Sequence, residues 1–339
     1  MLDGLTLTTY DMQLIIDTAN TTITVRNKCF YIKNAAVQKQ ISPLRLSSIA
    51  ITTNCLLNTS AIKLAAHHQV PVLVFNNFGT IQARMTSPYF ANLAMLRKKQ
   101  LLFSISPQAT TWIIKLLKKK SRQQVKTLKW LGRKKSSRRQ EIEVAIDKMK
   151  SLEAKMEEIG SRPIANSKAV LMGIEGSISK IYFMALRVTV PPLFDFDKRS
   201  RRPALDFFNS GLNYLYGMTY SLVESGIFAK GLDPMIGIMH ADQFKEPTLA
   251  FDLIEPIRPV MDRIWLGIIF QDILKKTDFI KKEQGYWLSK SGKRIVIKTF
   301  NEYTQQRVNY GGRVLRFKDH IYQEANSLGN YLLGNVELL

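Results

Sequence analysis

The period at which apolar residues recur changes once along this chain, and that change dictates its layout. Over residues 22–83 the apolar positions fall in short runs of strand character. Thr22-Ile23-Thr24-Val25 alternates polar and apolar, as does Cys29-Phe30-Tyr31-Ile32. The brief Arg26-Asn27-Lys28 connection between them predicts a hairpin. Ile49-Ala50-Ile51-Thr52 and residues 70–75 read as further strands, the second turning at Asn76-Asn77-Phe78-Gly79 into Thr80-Ile81-Gln82-Ala83. Asn58-Thr59-Ser60 supplies capping side chains for a short helix over residues 61–66. Beyond Ser87-Pro88 the spacing becomes helical. Trp112, Ile113, Leu116 and Leu117, then Val125 and Leu128, predict a long helix over 112–130, and residues 141–159 read as a charged, exposed one. Asp206 is a natural N-cap for a helix through Leu212, Leu215 and Tyr216 that ends between Gly226 and Gly231. Ile257, Val260, Ile264 and Ile268 mark another, and residues 317–333 a closing one. The fold class expected is α+β: a β-rich N-terminal domain over 1–85, a linker over 86–92, and a larger all-α domain over 93–339. A chain of 339 residues has ample material for two such cores.

Charge is distributed as unevenly as hydropathy. The formal net charge is +22, yet residues 18–140 contain no Asp or Glu; apart from Asp3, Asp11 and Asp17, every acid lies at or after Glu141. An acid-free stretch of that length attracts polyanions, and nucleic acid is the commonest one inside a cell. Residues 115–139 hold twelve Lys and Arg without one acid. Within this run Lys118, Lys119, Lys120, Arg122, Arg133, Lys134, Lys135, Arg138 and Arg139 are expected to contact DNA phosphates, which carries no sequence specificity. The bland alternative is a solvated surface segment. An anionic membrane surface is the lesser reading. The sequence shows no lipidation signal, no signal-peptide pattern and no apolar run near the length of a membrane span. Cys29 and Cys55 provide neither a disulfide framework nor a zinc site, which suits a reducing cytoplasm. Without a Walker loop, a dinucleotide glycine motif or a nucleophile elbow around Ser177, nucleotide hydrolysis, redox and acyl-transfer chemistry have no support.

Candidate chemistry gathers around Met239-His240 and Phe251-Asp252-Leu253-Ile254-Glu255-Pro256. A neutral imidazole with carboxylates suits a divalent ion of intermediate hardness, Mn2+ or Mg2+, better than zinc. Asp252 and Glu255 are three apart and share a face if helical, and Pro256 is compatible with a helix's first turn. A third carboxylate is available in Leu171-Met172-Gly173-Ile174-Glu175-Gly176-Ser177. Glu175 falls on the shoulder of the arc made by Leu171, Ile174, Ile178, Tyr182 and Ala185, so it cannot point fully away from the core. A carboxylate there needs either a metal or an Arg or Lys partner. Adjacent His67 and His68 point in different directions, and His320 reads as a surface or DNA-facing residue.

The order of these segments resembles the CRISPR-associated integrase and endonuclease family, the catalytic subunit of spacer acquisition. Thr53-Asn54-Cys55-Leu56-Leu57-Asn58, Val70-Pro71-Val72-Leu73-Val74-Phe75, Gly173-Ile174-Glu175-Gly176, Arg202-Pro203 followed by Asp206 and Asn209, Met239-His240, and Phe251-Asp252-Leu253-Ile254-Glu255-Pro256-Ile257-Arg258-Pro259 carry it. The resemblance implies a β-rich domain that drives homodimerisation and a helical catalytic domain. It implies a metal triad of Glu175, His240 and Glu255, supported by Asp252, binding Mn2+ or Mg2+. It also implies a small ferredoxin-like adaptation subunit that bridges two dimers, and insertion of short double-stranded DNA segments (prespacers) into a repeat array. A non-catalytic DNA-binding scaffold, a transposon-type integrase and an RNA-binding protein are the competing readings.

Overall fold

The computed structural model describes residues 12–75, 81–85, 87, 94–240, 246–282 and 284–334. The turn expected at Asn76-Asn77-Phe78-Gly79, with Thr80, and the expected linker apart from Ser87 lie outside the described residues. In chain order the first elements are β1 (Met12–Ile16), β2 (Thr21–Arg26), β3 (Cys29–Lys33), β4 (Gln38–Ile41), β5 (Leu46–Ile51), β6 (Cys55–Leu57), α1 (Thr59–His67), β7 (Val72–Phe75) and β8 (Ile81–Met85). Helices follow: α2 (Ala94–Ser104), α3 (Pro107–Lys134), α4 (Arg139–Lys155), α5 (Ile164–Arg187), α6 (Phe207–Lys230), α7 (Thr248–Leu253) and α8 (Arg258–Ile269). The chain then runs through β9 (Phe279–Lys282), β10 (Gly285–Leu288), α9 (Lys290–Gln305), β11 (Arg307–Tyr310), β12 (Arg313–Arg316) and α10 (Phe317–Gly334).

Two compact units result: Met1–Asn92 with Asn301–Lys318, and Leu93–Phe300 with Asp319–Leu339. In the first, two four-stranded sheets, ordered β1-β5-β7-β8 and β4-β3-β2-β6, share one core. Ile23, Phe30 and Ile32 from one sheet, Ile49, Ile51 and Val72 from the other, and Ala61 and Ala65 of α1 fill it. The expected hairpin is β2–β3. Arg26 pairs with Cys29, leaving Asn27 and Lys28 as a two-residue turn, both at positive φ, the geometry that matches strand twist. Asn58 caps α1 as expected, accepting from the Ala61 N–H at 2.8 Å. Cys29 and Cys55 are both unpaired.

The second unit is helical, but the stretch expected to be all-α holds two antiparallel ribbons: β9–β10 within this unit, and β11–β12 in the segment Asn301–Lys318 that belongs to the first. Helix α3 begins at Pro107 under a Ser106 cap and extends over 28 residues, about 42 Å at the α-helical rise. It packs against α4, α5 and α8. Asp206 caps α6, accepting from the Asn209 N–H at 2.7 Å, and Gly231 ends it at φ 85°. Helices α6 and α8 approach closely at Gly211, where a Cβ would lie 2.1 Å from the Trp265 ring. Two expectations are corrected here. Helix α5 is long and apolar enough to cross a membrane by length and composition, although no such run was expected. It packs on α3 and α4 with seven of its 24 residues buried, and it carries Glu175 into the site. His320 is buried in α10, because the first turns of that helix face inward at Phe317, Ile321 and Ala325.

Candidate active site

Three helical segments of the second unit and the loop carrying His240 build the site. Helix α5 contributes Glu175 from its middle, between buried Leu171 and Ile178. Asp252 lies in the last turn of α7, Glu255 in the turn that follows, and Arg258 opens α8 with Pro259 in its first turn. Pro256 therefore precedes the helix that it was expected to begin. Helix α3 turns a polar face inward, with Lys120, Ser121, Gln123, Gln124 and Thr127 all buried.

Lys120 is where these segments meet. Its ammonium donates both to Glu175 Oε1 and to Glu255 Oε2. Arg258 Nη1 holds the other oxygen of Glu255 at 2.6 Å, and its Nη2 donates to the Tyr220 hydroxyl. Burial alone would push the Glu255 carboxyl up; Arg258 and Lys120, with a smaller effect from His240, outweigh it and bring it down to about 2. Burial would likewise lower Lys120, and the two glutamates reverse that and raise it. Ser179 donates to Glu175 Oε1 at 2.7 Å, one turn along α5.

Asp252, fully buried, acts on His240. One of its oxygens accepts from the Ile238 and Met239 N–H groups at 2.6 and 3.2 Å; the other accepts from the His240 N–H and meets His240 Nδ1 at 2.7 Å. A carboxylate on Nδ1 fixes the ring and leaves Nε2 as the nitrogen for a ligand. Among the described residues, no three His, Cys, Asp or Glu side chains lie close enough to hold a metal ion. The expected triad is thus partly drawn together: Glu175 and Glu255 converge, but on an ammonium, while His240 faces Asp252.

The donor set nonetheless fits a divalent cation. Two carboxylates already share one positive charge, the imidazole is oriented by a carboxylate, and no thiolate intrudes. Without Lys120, three carboxylates against one guanidinium leave two negative charges. Gln124 Oε1 nearby is buried without a hydrogen-bond partner.

The site opens into a cleft of about 570 Å³ lined by Lys120, Gln124, Glu175, Lys180, Arg187, Lys198, Arg199, Arg201 and Arg258, with Phe183 and Tyr216. Sequence reasoning missed what shapes it. Arg199 lies 5.3 Å from the Tyr216 ring centre and donates to Asn209 and Asn213 at 2.7 and 2.6 Å. Asp262 accepts from Tyr182 and Tyr216. Arg258 carried a readable signal, standing three residues after Glu255. The Asp262–tyrosine and Arg199–asparagine groups join distant segments, and local spacing holds no sign of them.

The expected phosphate contacts divide. Lys120 is buried and committed to the two glutamates, so it is removed from that set. Lys118 pairs with Glu157 and Lys119 with Glu324. Arg122, Arg133, Lys134, Lys135, Arg138 and Arg139 are exposed, the last two in surface pairs with Glu141 and Glu143.

A family profile described as CRISPR associated protein Cas1 matches residues 14–302. The chain is 26% identical over 335 residues to the CRISPR-associated endonuclease Cas1 1 of Archaeoglobus fulgidus, covering 95% of this chain and 97% of that protein. A CAS1 protein from Thermotoga maritima superposes with a TM-score of 0.80 at 21% identity, over 96% of this chain and 98% of that one. A casposase bound to integration product superposes at 0.76 and 22% identity, over 95% and 90%. These structures share one class of fold, a β-strand unit followed by a helical one. The chain belongs to the CRISPR-associated Cas1 family.

Proposed function

We propose that this chain is a metal-dependent DNA integrase and endonuclease that inserts short double-stranded segments into a CRISPR repeat array. The observation that carries the reading is the convergence of Glu175 and Glu255 on one cation position, with a histidine held by Nδ1 on Asp252, three residues before Glu255. Family membership, the endonuclease name of the Archaeoglobus relative and the casposase's integration product support it.

In strand transfer a DNA 3′-hydroxyl oxygen bonds to phosphorus in the target strand, and an existing P–O bond breaks. Glu175, Glu255 and His240 Nε2 would hold Mn2+ or Mg2+, which supplies charge neutralisation and polarisation at the phosphoryl group. Arg258 keeps Glu255 ionised and in place, and Asp252 keeps the His240 ring from turning. Cations of the cleft, among them Lys180, Lys198 and Arg201, hold the incoming strand by its phosphates. A homodimer formed through the β-rich unit, and a small ferredoxin-like subunit bridging two dimers, complete the assembly that the family resemblance implies. The casposase likeness favours a second reading, a mobile-element integrase on the same scaffold; preference for a repeat array over other targets separates the two.

Glu175→Ala, His240→Ala and Glu255→Ala are each expected to lower Mn2+-dependent strand transfer by about a hundredfold or more, the usual scale for lost transition-state charge stabilisation. Duplex binding by a gel-shift assay should stay within about threefold, since the phosphate contacts lie elsewhere. Wild-type activity in any one of the three rejects the proposal.

A further inference from the structure

We infer that Lys120 is the built-in counter-cation of the acidic centre: a positioning residue that holds Glu175 and Glu255 together before a divalent ion arrives and competes with that ion for them. This rests on the metal reading proposed above and adds a residue to it.

The geometry has few alternatives. Lys118, Lys119 and Lys120 are consecutive, so each projects about 100° from the next around α3. The first two reach Glu157 and Glu324, while the third points into the unit and is buried, its ammonium bonded to both glutamates. An ammonium and a metal ion need the same carboxylate lone pairs and repel each other, so the two cannot be held together there. The charge count agrees. Glu175, Glu255 and Asp252 against Arg258 leave two negative charges, which a divalent ion matches and Lys120 half cancels.

Lysine suits such a temporary post, being a point charge on a flexible four-carbon stem. Space and an acceptor await it when released. The cleft beside it has about 570 Å³, and Gln124 Oε1, one turn further along α3, is buried and unpaired. Two states follow: one closed by Lys120, and one holding the metal with the ammonium turned into the cleft.

The test is calorimetric titration of the full chain with Mn2+ alone. Lys120→Met keeps the stem's bulk and removes the competitor. Its Mn2+ Kd should be tighter by about tenfold, the factor by which a tenfold-favoured closed state weakens apparent affinity. The metal-free variant should melt lower than wild type and gain more in Tm from Mn2+. A residue that merely supports the site would do the opposite and weaken binding, so an unchanged or weaker Kd overturns the inference. Should the variant fail to fold, acylation of amines in the wild type decides. Lys120 labelling, read by mass spectrometry, should rise severalfold with Mn2+; equal labelling overturns the inference. His240→Ala separates the two layers. If it abolishes Mn2+ binding while Lys120→Met changes nothing, the counter-cation role falls and the metal site stands. If wild type and Lys120→Met both bind no Mn2+, the metal site itself falls.

Discussion

Asp262 stands seven residues after Glu255 on α8, buried, and takes hydrogen bonds from Tyr182 at 2.9 Å and Tyr216 at 2.5 Å. Burial lifts its carboxyl to about 6, although both hydroxyls, Arg199 and Lys120 pull the other way. The folded form therefore keeps a proton that the unfolded chain releases near pH 4. Stability falls as pH rises from about 4 to about 6 and then levels off, with a penalty of about 3 kcal/mol. Asp262→Asn removes that dependence. In thermal melts across pH 4 to 7 the variant should gain on wild type steadily up to about pH 6 and hold a constant offset above it. A difference that stays flat across the range would place the Asp262 pKa at its ordinary value. Glu255 has the opposite sign: its pKa is depressed, so its contribution is present above about 4.5 and lost as pH falls toward about 2. At this scale the need of Glu175, Asp252 and Glu255 for partners was legible, because polar groups in apolar surroundings require them. Lys120 was not, since twelve basic residues in one run conceal the one that turns inward. A signal existed: Lys120 continues the buried row of Ile113, Leu117, Gln124, Leu128 and Leu131 on α3.

The same row leaves the opposite face of α3 to solvent, and its cations form a stripe. Lys115, Arg122, Lys126, Lys129 and Arg133 are exposed. At 100° per residue they fall within an arc of about 60° and run about 27 Å along the axis. Glu143 and Asp147 of α4 line the surface groove that holds Lys129 and Arg133, but they pair with Arg139 and Lys150, so the stripe keeps its charge along its length. Changing Lys115, Arg122 and Lys126 together to Gln should flatten the plot of log affinity for duplex DNA against log salt by about 2 to 3, at about 0.9 per phosphate contact. Lys118→Gln should leave that slope nearly unchanged, because Glu157 already holds its charge. An unaltered slope in the triple variant means the stripe faces solvent. Elements long enough to show a period, such as α3, α6 and the β2–β3 hairpin, were legible. The β9–β10 and β11–β12 ribbons were not, since strands of four residues carry too few alternations. Gly311-Gly312, both at positive φ between paired Tyr310 and Arg313, was the available hairpin signal for the second.

Across the whole molecule, charge and chemistry come from different stretches. The acid-free residues 18–140 supply the positive field, whereas Glu175, His240, Asp252 and Glu255 all follow Glu141. Local spacing reveals a field but not the meeting of α5 with the α7–α8 turn, which only tertiary packing brings about; the family resemblance supplied that pairing in advance. This separation has a kinetic consequence. Between 50 and 200 mM salt a protein with six to ten phosphate contacts loses about 10³ to 10⁵ in DNA affinity. The proposed metal position lies between buried Glu255 and partly buried Glu175, and pairs buried to that degree are screened less than exposed ones. Strand transfer suppressed by salt should therefore recover when DNA concentration is raised and not when Mn2+ is raised. In a rate matrix of salt, DNA and Mn2+ this appears as a salt-dependent KM for DNA with a nearly constant Mn2+ requirement. Recovery by Mn2+ instead would mean that salt acts on the acidic centre, and that the basic stretch does not hold the substrate.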